Sequence, residues 1–88
     1  MADEGKEKFE YDKEKVDEVA LALIYLCTYE GELGLRAWKN IDLGVLNRLH
    51  ERGYISNPIT KSQSVAISDQ AAEKSEELFR KYFEIKKN

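Results

Sequence analysis

Hydrophobic residues recur at helical spacing in the first third of the chain and predict a long helix from about Lys13 to Tyr29. Asp12 is expected to cap its start, because its carboxylate can accept a backbone N–H that has no helical partner. Gly31 and Gly34 are expected to end it. Apolar residues at helical spacing are Val16, Val19, Ala20, Leu23, Leu26 and Cys27. Because Leu21, Ile24 and Tyr25 occupy much of the remaining surface, the helix is expected to be central and covered on several sides.

The clearest pattern predicts a second helix from Leu43 to Arg52. Asp42 is its expected N-cap, and Gly53 follows its last residue, where glycine readily adopts the positive φ that ends many helices. The side of this helix that faces the core is expected to carry Val45, Leu46 and Leu49.

Shorter elements occupy the rest of the chain. Leu33 to Lys39 is predicted to form one or two short helical turns. Tyr54–Ser56 and Ser64–Ile67 are predicted to be the two strands of a hairpin. A last helix begins after Ser68 or Asp69, and its wide apolar face is expected to carry Ala71, Ala72, Ser75, Leu78, Phe79, Tyr82, Phe83 and Ile85.

The length of 88 residues suits one domain. Residues 1–10 are polar and are expected to form a disordered tail, with a single α+β, mostly helical domain over residues 11–88. A single cysteine and a charged N-terminus favour a cytoplasmic protein. The longest apolar run, Val19 to Cys27, is far shorter than the roughly 20 residues that cross a bilayer, so no membrane partner is expected.

Charge is distributed unevenly, although the total is only −3. Residues 1–35 carry a net −6, residues 36–68 a net +3, and residues 69–88 a net charge of zero. The positive excess lies in the middle segment, which contains the second helix and the predicted hairpin. An ordinary solvated surface is the alternative explanation for so small an excess.

Two stretches carry a resemblance to known proteins. LGVLNRLHERGYIS at residues 43–56, followed by SVAISDQA at residues 64–71, resembles winged-helix regulators of the MarR and PadR type. The whole chain also resembles a small bacterial family of unknown function, through RAWK at 36–39, LNRLHERG at 46–53 and SVAI at 64–67. The resemblance implies a winged-helix-like order of long helix, short helix, capped helix, β-hairpin and C-terminal helix, with the capped helix and hairpin on double-stranded DNA.

The capped helix would then act as the second helix of a helix-turn-helix and offer Asn47 and Arg48 to base edges, because both lie opposite its core-facing side. Phosphates would be contacted from the flanks by Arg36, Lys39, Arg52 and Lys61. We therefore expect a DNA-binding transcriptional regulator. The alternative is a protein-interaction or dimerisation module that has the winged-helix shape and does not bind DNA.

The last helix has more apolar residues than one face needs. A homodimer formed by pairing of two such helices would cover Leu78, Phe79, Tyr82 and Phe83. Trp38 is the only tryptophan, and we expect it to fill the core rather than to anchor a partner from an exposed position.

No pattern in the chain indicates catalysis. His50 and Cys27 are single residues of their types, so neither a metal site nor a cofactor is expected. Acidic residues of the first and last helices, Asp17 and Glu18 among them, are expected to be solvent-exposed charges. Because no acid, base or nucleophile forms a constellation, we expect a protein that is not an enzyme.

Overall fold

The computed structural model describes residues 9–87, and these form three helices and a small antiparallel sheet of three strands. The α+β class is confirmed. The predicted tail lies outside the described residues except for Phe9 and Glu10. In chain order the elements are helix α1 (Lys13–Cys27), strands β1 (Thr28–Gly31) and β2 (Gly34–Trp38), helix α2 (Leu43–Glu51), strand β3 (Ser64–Ala66) and helix α3 (Asp69–Phe83).

The capping signals of all three helices are confirmed. Asp12 accepts a hydrogen bond from the backbone N–H of Lys15 at 3.0 Å, and Ser68 accepts one from Ala71 at 3.1 Å. Helix α1 ends two residues before the predicted end, because the chain continues directly into strand β1 at Thr28. The threonine and tyrosine at this junction favour extended structure.

Helix α2 follows its prediction to within one residue. Asp42 accepts from the N–H of Val45 at 3.2 Å. At the other end Gly53 has φ +81°. The N–H of Gly53 donates to the carbonyl of His50 at 2.9 Å, and the N–H of Tyr54 donates to that of Leu49 at 3.0 Å. These two bonds define a Schellman motif, which fixes the direction in which the chain leaves the helix.

The predicted helical turns at 33–39 are wrong, because this segment is strand β2. Its side chains alternate: Ala37 is fully buried, whereas Trp38 is 52% exposed. A two-residue turn joins β1 to β2, with Gly31 opposite Gly34. Within residues 9–87, helix α2 is therefore preceded by a strand rather than by the supporting helix of a helix-turn-helix.

The predicted hairpin at 54–67 is reduced to one β-bridge, between Ile55 and Ile67. The second predicted strand is correct at Ser64–Ala66, but its main partner is β2, with Ala37 opposite Val65. The order β1-β2-β3 makes β2 the central strand, and its residues Arg36 and Trp38 lie on the side of the sheet opposite to Ala37. The main partner of β3 is therefore β2, which belongs to the hairpin β1-β2 that was not predicted. Residues 54–56 contribute only the bridge at Ile55.

The prediction that helix α1 is covered on several sides is wrong, because only one side of it faces the core. Leu21 and Ile24 are each 2% exposed, whereas Leu23 is 41% and Leu26 67% exposed. Helices α2 and α3 and the sheet cover the side with Leu21 and Ile24. The core of the described chain consists of Ala20, Leu21, Ala22, Ile24, Ala37, Val45, Leu46, Leu49, Ile55, Val65, Ile67, Ala71 and Leu78.

Three of the four residues predicted at a dimer interface are packed within the chain. Leu78 is 4% exposed, and the rings of Phe79 and Tyr25 lie 5.1 Å apart. Tyr82 is half-buried and accepts a hydrogen bond from Lys15 at 3.1 Å. Helix α1 covers this side of α3, and of the four only Phe83 is exposed, at 44%.

Candidate nucleic-acid interface

One side of the sheet packs on the core and the other side, which we call the outer face, is turned away from it. Paired residues of an antiparallel sheet project to the same side. Val65 and Ala37 are paired and buried in the core. The neighbouring pairs therefore project outward, and they place on the outer face Tyr29, Arg36, Trp38, Ser64 and Ala66.

Two aromatic rings form the most prominent feature of the outer face. The rings of Tyr29 and Trp38 are stacked, with centroids 4.9 Å apart and planes at 25°. Trp38 remains 52% exposed. The prediction that it fills the core is wrong, because in an extended strand Ala37 takes the core position and its neighbour must point outward.

Arg36 lies beside this aromatic pair and is fixed by the third strand. Its Nε donates to the Ser64 hydroxyl at 2.8 Å, and its terminal nitrogen donates to the Ser64 carbonyl at 3.1 Å. Ser64 lies on the same face and is only 7% exposed. Because both acceptors are uncharged, these bonds orient the guanidinium without neutralising it.

Lys39 follows the end of β2 and organises the loop before β3. Its Nζ donates to the carbonyl oxygens of Pro58 at 2.7 Å and Thr60 at 3.1 Å. Its backbone N–H donates to Gln63 at 3.0 Å. Lys61 lies on the same loop and is exposed. Lys39 and Lys61 are thus associated with one loop, and this loop leads into β3 at Ser64, the residue that anchors Arg36.

Three of the six residues predicted to contact DNA therefore lie on the sheet or on the loop before β3, namely Arg36, Lys39 and Lys61. Within residues 9–87 no carboxylate forms a salt bridge with any of them. We call the group Tyr29, Arg36, Trp38, Lys39 and Lys61 the basic-aromatic patch. Its aromatic half was missed, although the sequence Thr-Tyr before two closely spaced glycines is a hairpin signal.

The other three predicted residues lie on or directly after α2. Arg48, expected to face solvent, instead donates through Nε and a terminal nitrogen to the two carboxylate oxygens of Asp17, at 2.6 and 2.7 Å. Arg48 is turned inward because Asp17 is only 1% exposed and requires a partner of opposite charge. Arg52 is turned toward Glu14 of α1, 4.0 Å away, and Asn47 is half-buried.

The hydrogen bonds to Asp17 raise the pKa of Arg48 above its ordinary value, although burial acts in the opposite direction. The expectation that Asp17 is solvent-exposed is wrong. A signal was present, since Ala20, Leu21 and Ile24 follow Asp17 at helical spacing and all three are buried. A charged residue on such a stripe requires a partner of opposite charge.

The two residues considered for metal or nucleophilic chemistry have structural contacts. The Nδ1 of His50 lies 3.0 Å from the carbonyl oxygen of Ile55, so this nitrogen carries the proton, because a carbonyl can only accept. Cys27 is half-buried beside Asn40, with sulfur to amide distances of 3.8 to 3.9 Å. In the part of the chain that the structure describes, no three metal-ligating side chains come together. No helix among residues 9–87 meets the length and hydropathy required to span a membrane.

Comparison with known proteins gives a family without a known activity. The sequence profile of a family described as "Domain of unknown function (DUF6429)" matches residues 12–85. An uncharacterised protein, y4hR, from Sinorhizobium fredii is 42% identical over 74 residues, which cover 84% of this chain and 96% of that protein. The resemblance to a family of unknown function is thereby confirmed. No solved structure matches the chain, so the likeness to MarR and PadR regulators has no support from a structural neighbour.

Proposed function

The chain belongs to the DUF6429 family, a domain of unknown function, and we propose that it binds single-stranded nucleic acid across the basic-aromatic patch. The observation that carries the proposal is the half-exposed ring of Trp38, stacked on Tyr29 beside Arg36, whose charge no described carboxylate neutralises. This function retains the class of ligand expected from the sequence and moves the contact from helix α2 to the sheet.

The aromatic pair suits an unpaired base. A base can stack on any exposed aromatic face, and each such contact contributes about 1–3 kcal/mol with little dependence on sequence. Tyr29 holds the Trp38 ring in place from one side, so little rotamer freedom remains to be lost when a base stacks. The bases of a duplex are already stacked on one another and cannot reach this ring.

The cations suit the phosphates of the same strand. Arg36 is fixed by Ser64, and Lys39 is fixed by the loop that carries Lys61. The overall charge of −3 does not oppose this, because the acidic excess belongs to residues 1–35. With about three phosphates neutralised, the logarithm of the association constant should fall with log salt at a slope of about −2.

Helix α2 is a poorer candidate for a DNA-reading helix. Recognition of guanine by arginine requires both arms of the guanidinium fork, and the fork of Arg48 is engaged by Asp17. The helix also lacks a preceding support helix within the described residues. Double-stranded DNA therefore enters the experiment below as a competing outcome.

A second candidate function is the dimerisation module considered from the sequence. A different observation favours it: a row of exposed apolar residues along helix α1, on the side turned away from the core.

The experiment uses Trp38 as its own reporter, because the chain contains no other tryptophan. Titration with an oligothymidine in low salt should quench its fluorescence, and an abasic oligonucleotide of equal length should bind more weakly without that quenching. Raising the salt from about 50 to about 200 mM should weaken binding about 20-fold. Lys61→Ala should weaken binding and reduce the salt slope by about 0.7. Lys74→Ala, a lysine of α3 that pairs with Glu77, is the matched control and should have no effect.

Three results would overturn the proposal. The first is an unchanged Trp38 signal with every single strand at low salt. The second is equal binding of the abasic oligonucleotide or of polyphosphate, which would show that only anionic charge is recognised. The third is tighter binding of a mixed-sequence duplex that Lys61→Ala leaves unchanged, which would return the contact to α2.

A further inference from the structure

Helix α1 carries an apolar row that the described chain leaves largely uncovered, with three of its four residues exposed and Val19 half-buried. The row consists of Val16, Val19, Leu23 and Leu26, and we call it the α1 stripe. Its spacings of three, four and three residues are those of the a and d positions of a heptad repeat. Two side chains separated in this way lie along one side of a helix, so the four form a continuous strip.

The exposure of the α1 stripe is large for side chains of this type. Val16 is 37% exposed, Leu23 41% and Leu26 67%. Ile41, in the connection between β2 and α2, lies at the edge of the strip, where it borders a shallow apolar depression. Ala20 forms the floor of that depression, and its small side chain allows another helix to approach closely.

We propose that the α1 stripe is the interface of a homodimer in which two α1 helices pack antiparallel about a two-fold axis. An isologous interface requires a surface that complements itself. Antiparallel pairing centred between Val19 and Leu23 sets each of these residues opposite the other. It likewise sets Val16 opposite Leu26, so that every contact joins a smaller side chain to a larger one.

Charge at the ends of the stripe selects a second copy of this chain and its direction. Lys13 precedes the stripe, whereas Glu30, which is exposed on β1, follows it. Antiparallel helices bring the lysine of each copy toward the glutamate of the other. Parallel helices would place like charges together at both ends, which is unfavourable.

The size of the interface sets the expected strength. A 15-residue helix is about 22 Å long, and stable interfaces bury about 800 Å² on each partner. The stripe supplies the apolar centre, and Ile41 and the exposed Leu43 widen it on the α2 side. We expect an interface at the lower end of the size range and a dissociation constant in about the micromolar range.

The test is the mass in solution, measured by analytical ultracentrifugation over a range of concentrations. The chain of 10.2 kDa should approach twice that mass as its concentration rises. Leu23→Lys should remain monomeric at every concentration. Leu33→Lys is the matched control, because Leu33 is fully exposed in the turn between β1 and β2, away from the stripe, and this variant should dimerise normally.

A charge exchange tests the direction of the helices. Lys13→Glu and Glu30→Lys should each weaken the dimer, and the two changes together should restore it. A helical circular dichroism signal and a melting temperature equal to those of the wild type would show that a monomeric variant is folded. A wild-type chain that stays at 10.2 kDa at the highest soluble concentration would overturn the proposal, and so would an unaffected dimer in Leu23→Lys.

Because Trp38 and the cations of the basic-aromatic patch are not part of the α1 stripe, the two proposals can fail independently. Leu23→Lys should still bind a single strand with quenching of Trp38, with any loss limited to the contribution of the second copy. A monomer that binds nucleic acid would contradict the dimer alone, and a dimer without that affinity would contradict only the proposed function.

Discussion

Replacement of Arg48 by methionine should remove a large share of the stability of the domain. Asp17 is 1% exposed, and each oxygen of its carboxylate accepts one hydrogen bond from Arg48. In Arg48→Met the aliphatic stem is kept while both donors are lost. The carboxylate would then lie in the core without a partner, since among residues 9–87 Arg48 is its one side-chain hydrogen-bond donor.

The magnitude follows from the cost of an uncompensated buried charge. Breaking a buried ion pair by removing one partner typically costs about 3–5 kcal/mol. Domains have total stabilities of roughly 0.05–0.15 kcal/mol per residue, so an 88-residue chain has only about 4–13 kcal/mol. For a domain of this size each kcal/mol corresponds to about 4–8 °C in melting temperature. We therefore expect Arg48→Met to melt at least about 12 °C below the wild type.

The assay is urea unfolding followed by circular dichroism and by Trp38 fluorescence. A lower midpoint with an unchanged dependence on urea would report a loss of stability. The double variant Asp17→Leu/Arg48→Met removes the whole pair, and its stability should return to within about 1 kcal/mol of the wild type or exceed it. Lys74→Met, which breaks the exposed contact with Glu77 at 3.7 Å, is the matched control and should cost less than about 1 kcal/mol.

Two results would refute this reasoning. One is an Arg48→Met variant within about 1 kcal/mol of the wild type, which would mean that the Asp17 carboxylate reaches solvent or another partner at little cost. The other is a double variant whose loss equals the sum of the losses of Asp17→Leu and Arg48→Met. Additive losses would show that the two side chains are energetically independent despite their geometry.

Two further predictions concern a helix end and a surface carboxylate. Gly53 has φ +81° in open space, so Gly53→Ala should cost about 1–2 kcal/mol through the backbone alone; equal urea midpoints for variant and wild type would contradict this. The Tyr82 hydroxyl, together with Lys15 and Lys81, lowers the pKa of Glu18 below its ordinary value of 4.5. The contribution of Glu18 to stability is therefore present above pH 4.5 and is lost as the pH falls through the lower folded-state pKa. In that acidic range, the melting temperature of Glu18→Gln should depend less on pH than that of the wild type.

Helix α2 could be predicted because every signal that defines it is local. Asp42 lies three residues from the N–H that it caps, and Gly53 follows directly after the C-cap residue. The apolar residues Leu46 and Leu49 occupy one side, with polar residues on the other. Since each signal acts within one or two turns, the pattern required no knowledge of the remaining chain.

Strand β2 could not be predicted in the same way, because what stabilises it is distant. Its partner on one side is Ser64–Ala66, and Arg36 bonds to a residue 28 positions later in the chain. Five residues of strand give too short an alternation to distinguish it from a helical turn. Because residues 33–39 were predicted to be helical, the outward position of Trp38 was missed, and with it the aromatic part of the basic-aromatic patch.

The prediction that helix α1 is covered on several sides failed for another reason. Apolar residues surround most of the helix, so the helical period alone does not show which of them the rest of the chain covers. The side with Val16 and Leu23 has the cleaner spacing, yet the side with Leu21 and Ile24 is the one covered. Only the positions of α2, α3 and the sheet decide between them, and no local rule supplies these.

The contrast between Arg36 and Arg48 shows why a count of charges by segment was a weak guide to the site. Both contribute equally to the net +3 of residues 36–68. Arg48 forms an ion pair with Asp17, a residue of α1 that the count assigned to another segment. Arg36 is also held by two hydrogen bonds, but they go to the hydroxyl and carbonyl of Ser64, which orient it and leave its charge available to a ligand. The capacity to bind an anion therefore depends on whether the acceptors that orient a cation are themselves charged, and this favours the outer face of the sheet over helix α2.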